Sequence, residues 1–251
     1  MKLWTYKHFI SYVPSLAFMA VIAGILRKFL LKKDEKTRLI PFQVLAIVLF
    51  GLEVGKQIVS LKMGYDLYHL PFYFCSMFVF LIPLSAFYSG KWRKHILSFT
   101  TVICATLFLF MLIAPAYTYS EESIASMFSD FMEFHRVAFH NVVIFEFLLI
   151  LSLNLYEPNT KFDLKTTLIA IPIYCLIGGS MAQIFKVNFN NFYSCAAEFV
   201  DNARLAIIEN IGHAAGQTVY VIGVSIVTLA FSVLSYFAYR LIYKFVKIYK
   251  K

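Results

Sequence analysis

The stretch His69–Leu84 reads HLPFYFCSMFVFLIPL: a polar residue and a proline lead into a continuous apolar run with one cysteine, Cys75, just inside it. Proline is tolerated in the first turn of a helix, where its missing N–H would find no partner anyway, so Pro71 reads as a helix start. Cys75 then lies about one turn in, where the positive end of the helix dipole favours a thiolate. The competing reading is a small buried hydrophobe, the commonest fate of a free cysteine. The apolar run itself decides the fold class, because the chain around it repeats the same pattern.

The 251 residues are 60% hydrophobic and 15% charged, with mean hydropathy +0.72. Soluble domains are about 45–50% apolar and about 25% charged. The expected fold is therefore all-α: a single polytopic membrane domain over 1–251, in the cell membrane. A spanning helix needs about 20 apolar residues. Seven segments qualify, at 9–31, 40–60, 71–90, 96–116, 135–156, 166–186 and 217–241. Lys2 and Lys7 before the first run resemble a signal peptide. No small-residue cleavage site follows, so the run is expected to be a retained helix.

Charge orients the seven segments. Of the 23 Lys and Arg residues, 16 fall in the connections after segments 1, 3 and 5 and in the tail, from Arg27, Lys28 and Lys32 to Lys250 and Lys251. The positive-inside rule then predicts the N-terminus outside and the C-terminus inside. The net charge of +9 is read as basic loops facing an anionic leaflet rather than as a nucleic-acid footprint. The outer connections differ. Residues 117–134 carry Glu121, Glu122, Asp130 and Glu133 and read as partly helical. Residues 187–216 are long and mixed, with helical spacing from Phe199 to Ile211.

Ionisable residues inside spanning helices are costly and mark functional sites by default. Segment 2 places Glu53, Lys56 and Gln57 on one face. They form either a structural ion pair or part of a site. Segment 5 opens with His135, Arg136, His140 and Asn141 and carries Glu146 deeper. His140 is either a packing residue or a general base. At the start of segment 7, Glu209, His213, Gln217 and Tyr220 fall at i, i+4, i+8 and i+11, one polar stripe along a helix. Gln183 and Lys186 end segment 6. Segment 4 has no charged residue and is expected to face lipid, while Cys104 and Cys175 look inert. With the expected topology, Glu53, Gln57, His69, Cys75, His140, Gln183, His213 and Gln217 all share the outer half of the bilayer. Convergent titratable groups point to a site. The cysteines lack metal-site spacing, so no metal is expected.

His69-Leu70-Pro71-Phe72-Tyr73-Phe74-Cys75-Ser76, followed by Leu81-Ile82-Pro83-Leu84, resembles the HLP…C…LxPL segment of the YwaF-like bacterial integral membrane proteins. Phe134-His135 and Phe139-His140-Asn141 each match that family's histidine at the start of its fifth helix, His140 the better. The resemblance covers segments 3 to 5, under half of the chain. The first helix, the basic tail, the acidic 121–133 loop and the 187–216 loop have no counterpart in it. A related eukaryotic transmembrane protein is a cysteine-dependent acyltransferase that moves a fatty acyl chain onto a lysophospholipid. The resemblance implies that Cys75 is the acyl-accepting nucleophile.

The chemistry can be set out from the residues as well. Acyl transfer needs a nucleophile, a base and oxyanion donors. Cys75, either His140 or His213, and backbone N–H groups with Asn141 or Gln217 supply them. Glu53, Gln57, His69, Asn141, Gln183, Glu209, Gln217 and Tyr220 are then candidates for substrate contacts. An outer-leaflet site would not meet cytosolic acyl-CoA, so the expected reaction is lipid-to-lipid transacylation with membrane phospholipids and no soluble cofactor. The alternative is a small-molecule transporter or substrate-binding membrane subunit, with Glu53, Lys56 and His213 as ligands for a polar solute. A retinal protein is set aside because no lysine lies between Thr218 and Tyr239. Paired aspartates and HExxH are absent, which disfavours intramembrane proteases. Nothing in the sequence fixes the oligomeric state.

Overall fold

The computed structural model describes residues 3–195 and 197–248; Lys250 and Lys251, which belong to the basic tail, and Lys2, which belongs to the leader-like start, lie outside them. Among the described residues there is no strand, and nine α-helices run in the order α1 (Tyr6–Leu30), α2 (Glu35–Lys62), α3 (Phe78–Phe87), α4 (Arg93–Ile113), α5 (Glu121–Ser126), α6 (Phe131–Ser152), α7 (Thr160–Phe185), α8 (Glu198–Ile211) and α9 (His213–Ile248). Six of them, α1, α2, α4, α6, α7 and α9, are long and apolar enough to cross a membrane. This is a multi-pass membrane protein.

The segment at 71–90 is not the continuous helix its apolarity suggests. Residues 71–74 form turns, Cys75–Met77 a single 3-10 turn, and the α-helix begins only at Phe78. Three consecutive aromatics explain the unwinding. Phe72 packs on Phe185 and Phe189, Tyr73 on Tyr68 and Phe189, and Phe74 on Tyr174 and Phe78. The Tyr174 hydroxyl donates to the Phe72 carbonyl at 3.1 Å. Non-helical backbone at membrane depth is tolerated where protein groups satisfy it in this way. The dipole argument for Cys75 weakens accordingly, because the α-helix starts three residues after it.

Helix α4 is the second correction. Two thirds of its most apolar window (67%) is buried, against 17% for α1 and α9, so it forms the centre of the bundle instead of facing lipid. It packs on α3, α6, α7 and α9. Burial among helices needs small and weakly polar residues more than charge, since lipid is as apolar as leucine and gives no hydrophobic incentive to hide apolar faces. Helix α4 has them: Thr100 bonds Ser85 of α3 at 2.8 Å, and Ser98 donates to Asp163 of α7 at 2.6 Å. Tyr156 and the Asn159 N–H also bond Asp163, leaving that buried carboxylate well partnered.

Basic side chains tie one end of the bundle together. Arg27 donates to the Ser152 and Val246 carbonyls, and Arg38 to those of Leu153 and Asn154, satisfying the carbonyl ends of α6 and α9. Arg93 pairs with Glu35 at 2.7 Å, so the starts of α2 and α4 share that end. At the opposite end His8 bonds the Tyr119 carbonyl at 2.9 Å. The acidic connection there contains α5, whose Ser120 cap accepts from the Ser123 N–H, as its helical reading anticipates.

The expected surface helix from Phe199 is α8, which buries no residue. It does not run on into the last span. Gly212, at φ 85° and ψ 157°, turns the chain, and α8 folds back on α9. The approach is close: a Cβ on Gly216 would lie 2.7 Å from the Ile208 Cα. Glu209 therefore belongs to a different helix from His213 and Gln217, and the expected single polar stripe is broken.

Candidate functional site

Cys75 lines a cavity of about 540 Å³ between the unwound 70–77 segment, α2, α6 and the 188–191 loop. Glu53, His69 and His140 line it too, together with Lys56, Tyr68, Tyr73, His135, Arg136 and three asparagines, Asn188, Asn190 and Asn191. Four of the sequence-derived candidates are thus brought together from three elements far apart in the chain.

Helix α6 supplies the bases. Its N-cap, Asp130, accepts from the Met132 and Glu133 N–H groups and fixes the first turn. Two turns in, His140 is 9% exposed, with Nδ1 2.6 Å from the Arg136 carbonyl. A carbonyl only accepts, so Nδ1 carries the proton and Nε2 is left with a lone pair. No partner among the described residues occupies that nitrogen. A neutral imidazole held in this tautomer inside a cavity with a thiol is arranged to accept a proton.

Helix α2 supplies a charged wall. Glu53, 7% exposed, bonds Lys56 Nζ at 2.7 Å and Gln57 Nε2 at 2.7 Å, and lies 3.5 Å from His135 Nε2. Gln57 also donates to the His69 carbonyl at 3.1 Å, and Tyr65 donates to the Gln57 carbonyl oxygen at 2.9 Å. Gln57 therefore links helix to loop beneath the cavity. Ser60 bonds His69 Nδ1 at 2.5 Å. His69 lies in the loop outside the spans; its burial, and then the nearby Lys56 charge, hold its pKa below the ordinary histidine range. It is a neutral wall residue. Arg136 is tied to Glu133 at 3.1 Å and to the Ser123 hydroxyl.

The asparagine loop was not legible as part of a site. Asn190 and Asn191 adopt left-handed conformations at φ 48° and 61°, which asparagine tolerates best after glycine. Asn188 Oδ1 accepts from the Tyr193 and Ser194 N–H groups, and its Nδ2 has no partner among the described residues. Tyr220 donates to the Asn191 carbonyl at 2.6 Å, so it tethers this loop instead of lining the cavity. The available signal was the Asn188-Phe189-Asn190-Asn191 run directly after a span.

Other candidates fall elsewhere. Asn141 Nδ2 bonds the Val137 carbonyl of its own helix, and the residue is not part of the cavity wall. Gln217 donates to the Phe192 and Tyr193 carbonyls and accepts from Arg204, a structural clasp. Gln183 donates to the same Phe192 carbonyl at 2.9 Å. His213, Gln183 and Gln217 line a second, separate groove between α7 and α9, which shares no lining residue with the Cys75 cavity. Glu209 is exposed on α8. His213 is therefore not placed to serve Cys75, and of the two candidate bases only His140 shares its cavity. Among the described residues no cluster of three or more His, Cys, Asp or Glu side chains is arranged for a metal.

Neither curated proteins nor solved structures give a match to this chain. The family model described as the TMEM164 family matches residues 3–238, nearly the whole sequence, and the chain belongs to that family.

Proposed function

We propose that the protein is a phospholipid transacylase that carries the acyl group on Cys75. The observation that supports this most directly is the single cavity that Cys75 shares with a histidine whose Nδ1 is committed to a backbone carbonyl. In the first half-reaction His140 Nε2 takes the Cys75 proton, and the thiolate attacks an ester carbonyl of a donor phospholipid. The tetrahedral intermediate expels the lysophospholipid alkoxide, which takes the proton back from His140, leaving a thioester. In the second half-reaction His140 removes a proton from the hydroxyl of an acceptor lysophospholipid. The resulting alkoxide attacks the thioester, and the Cys75 thiolate leaves and regains the proton. Atoms and charge balance with no soluble cofactor. Asn188 Nδ2, on the cavity wall, is the candidate oxyanion donor.

The same reading takes the 70–87 segment as a seventh crossing of the cell membrane. Residues Cys75–Phe87 span only about 20 Å as a helix. The turn-rich 70–74 stretch supplies the rest of a ~30 Å core. With 16 of the 23 basic residues in the connections after segments 1, 3 and 5 and in the tail, the N-terminus is taken to lie outside and the site to face the outer leaflet. The transporter reading fits less well. Glu53, its main solute ligand, is already occupied by Lys56 and Gln57 and faces His135.

The test is acyl labelling. Purified protein mixed with a phospholipid labelled in its acyl chain acquires a hydroxylamine-sensitive adduct, absent from Cys75→Ala. His140→Gln slows its formation by about 10²–10⁴-fold, the usual contribution of a positioned base. An equal adduct in Cys75→Ala overturns the proposal.

A further inference from the structure

The groove between α7 and α9 has a volume of about 810 Å³, larger than the Cys75 cavity and independent of it. Its walls are mainly apolar, and Leu176, Ile222 and Ile226 on them are 71%, 53% and 61% exposed, so it opens sideways toward lipid. Its amide and basic side chains, Gln183, Lys186, His213 and Gln217, gather at one end. Lys186, the C-cap of α7, and His213, the first residue of α9, both line that end. Neither has an ion-pair partner among the described residues. The first turn of α9 carries no acidic residue, and Gly212 before it has no side chain to cap its N–H groups. The groove thus joins uncompensated positive charge at a membrane end to an apolar channel. From His213 to Leu229 it follows α9 for about 24 Å, longer than the ~15 Å of one hydrocarbon leaflet. That length takes a whole acyl chain.

We propose that this groove is a binding site for an anionic phospholipid, with its headgroup at Lys186 and the first turn of α9 and one acyl chain along Leu176, Ile222 and Ile226. The groove exists because of Gly179: a Cβ there would lie 2.9 Å from Val221 Cγ1, so its absence lets α7 and α9 approach at the base while their outer faces stay apart. Phe192, whose carbonyl receives both Gln183 and Gln217, closes the inner side. The bound lipid is therefore held apart from the Cys75 cavity, and the proposal does not depend on acyl transfer.

The test uses the full chain carrying Ile222→Trp, reconstituted in phosphatidylcholine vesicles with increasing amounts of dibrominated phosphatidylglycerol or dibrominated phosphatidylcholine. The signal of the introduced tryptophan is taken as the difference from the chain holding only Trp4 and Trp92. Half-quenching is expected at about fivefold lower mole fraction of the anionic lipid, the effect of one lysine at a membrane surface. Adding Lys186→Asn, which suits the left-handed backbone there (φ 55°), removes the preference, while Lys186→Arg keeps it. Both altered positions are exposed, so the fold is retained. Equal quenching by the two lipids overturns the proposal, as does a preference that survives Lys186→Asn. Efficient cross-linking between Ile226→Cys chains, with the tryptophan shielded from both lipids, also overturns it by showing a second copy in the groove.

Discussion

The stability lost on removing each partner of the Glu53–Lys56 pair singly should sum to more than is lost on removing both. The side chains lie 2.7 Å apart and are only 9% and 12% exposed. At an effective dielectric of 20 their attraction is about 6 kcal/mol, offset by several kcal/mol of desolvation for each ion. The net worth of the pair is therefore small, but a lone buried charge keeps its desolvation cost without compensation. Glu53→Gln leaves Lys56 in that state and is expected to cost about 3 kcal/mol, the low end for a broken buried pair because the ammonium can turn toward the cavity. Lys56→Met leaves Glu53 with Gln57 and His135 and should cost less. The double variant should be more stable than the sum of the two losses implies, by about 1–3 kcal/mol of coupling. Thermal unfolding in one detergent, followed by helical circular dichroism, supplies the four corners of the cycle. Additivity to within about 0.5 kcal/mol would refute the reasoning and make the pair two independent surface-like charges.

Further expectations follow from other parts of the fold. Gly179→Leu should force α7 from α9 and cost about 2 kcal/mol, a typical overpacking penalty, measurable as a lowered unfolding midpoint. In the first turn of α8, hydrogen bonds from Arg204 of the same helix and from the Cys195 N–H of the preceding loop hold the Asp201 carboxyl below the usual range. Because the folded-state value is depressed, this contact stabilises α8 above the unfolded pKa of about 4 and is lost as pH falls through the lower folded value. Proteolysis between α8 and α9 should therefore accelerate below about pH 4 in the native chain and show no such step in Asp201→Asn. In a chain also carrying Cys75→Ala and Cys195→Ser, which removes the two partly exposed native thiols, a membrane-impermeant maleimide should label Glu122→Cys in intact cells and leave Lys36→Cys unlabelled; the reverse pattern would invert the proposed orientation. Cys104, fully buried at the centre of the bundle, should resist alkylation in the folded protein, while Cys75 reacts through its cavity.

Composition and apolar periodicity are sufficient for the class of this protein. No other packing than a multi-pass helical bundle accommodates so many long apolar runs, because backbone groups in lipid must bond within their own helix. The spacing of Glu53, Lys56 and Gln57 was likewise readable, since helix geometry alone puts i, i+3 and i+4 on one face. Tertiary structure decided what that periodicity cannot express. An uncharged helix can be central or peripheral, and only the partners available to Ser98 and Thr100 placed α4 in the middle. Three aromatics with docking sites on different elements unwound the start of the third segment. Gly212 separated Glu209 from His213, and the α7–α9 packing turned His213 toward a groove of its own. Apolar runs register each residue's depth in the membrane but not its direction around the bundle axis. Residues at one depth were therefore grouped by the sequence into one site, and the packing divided them into two.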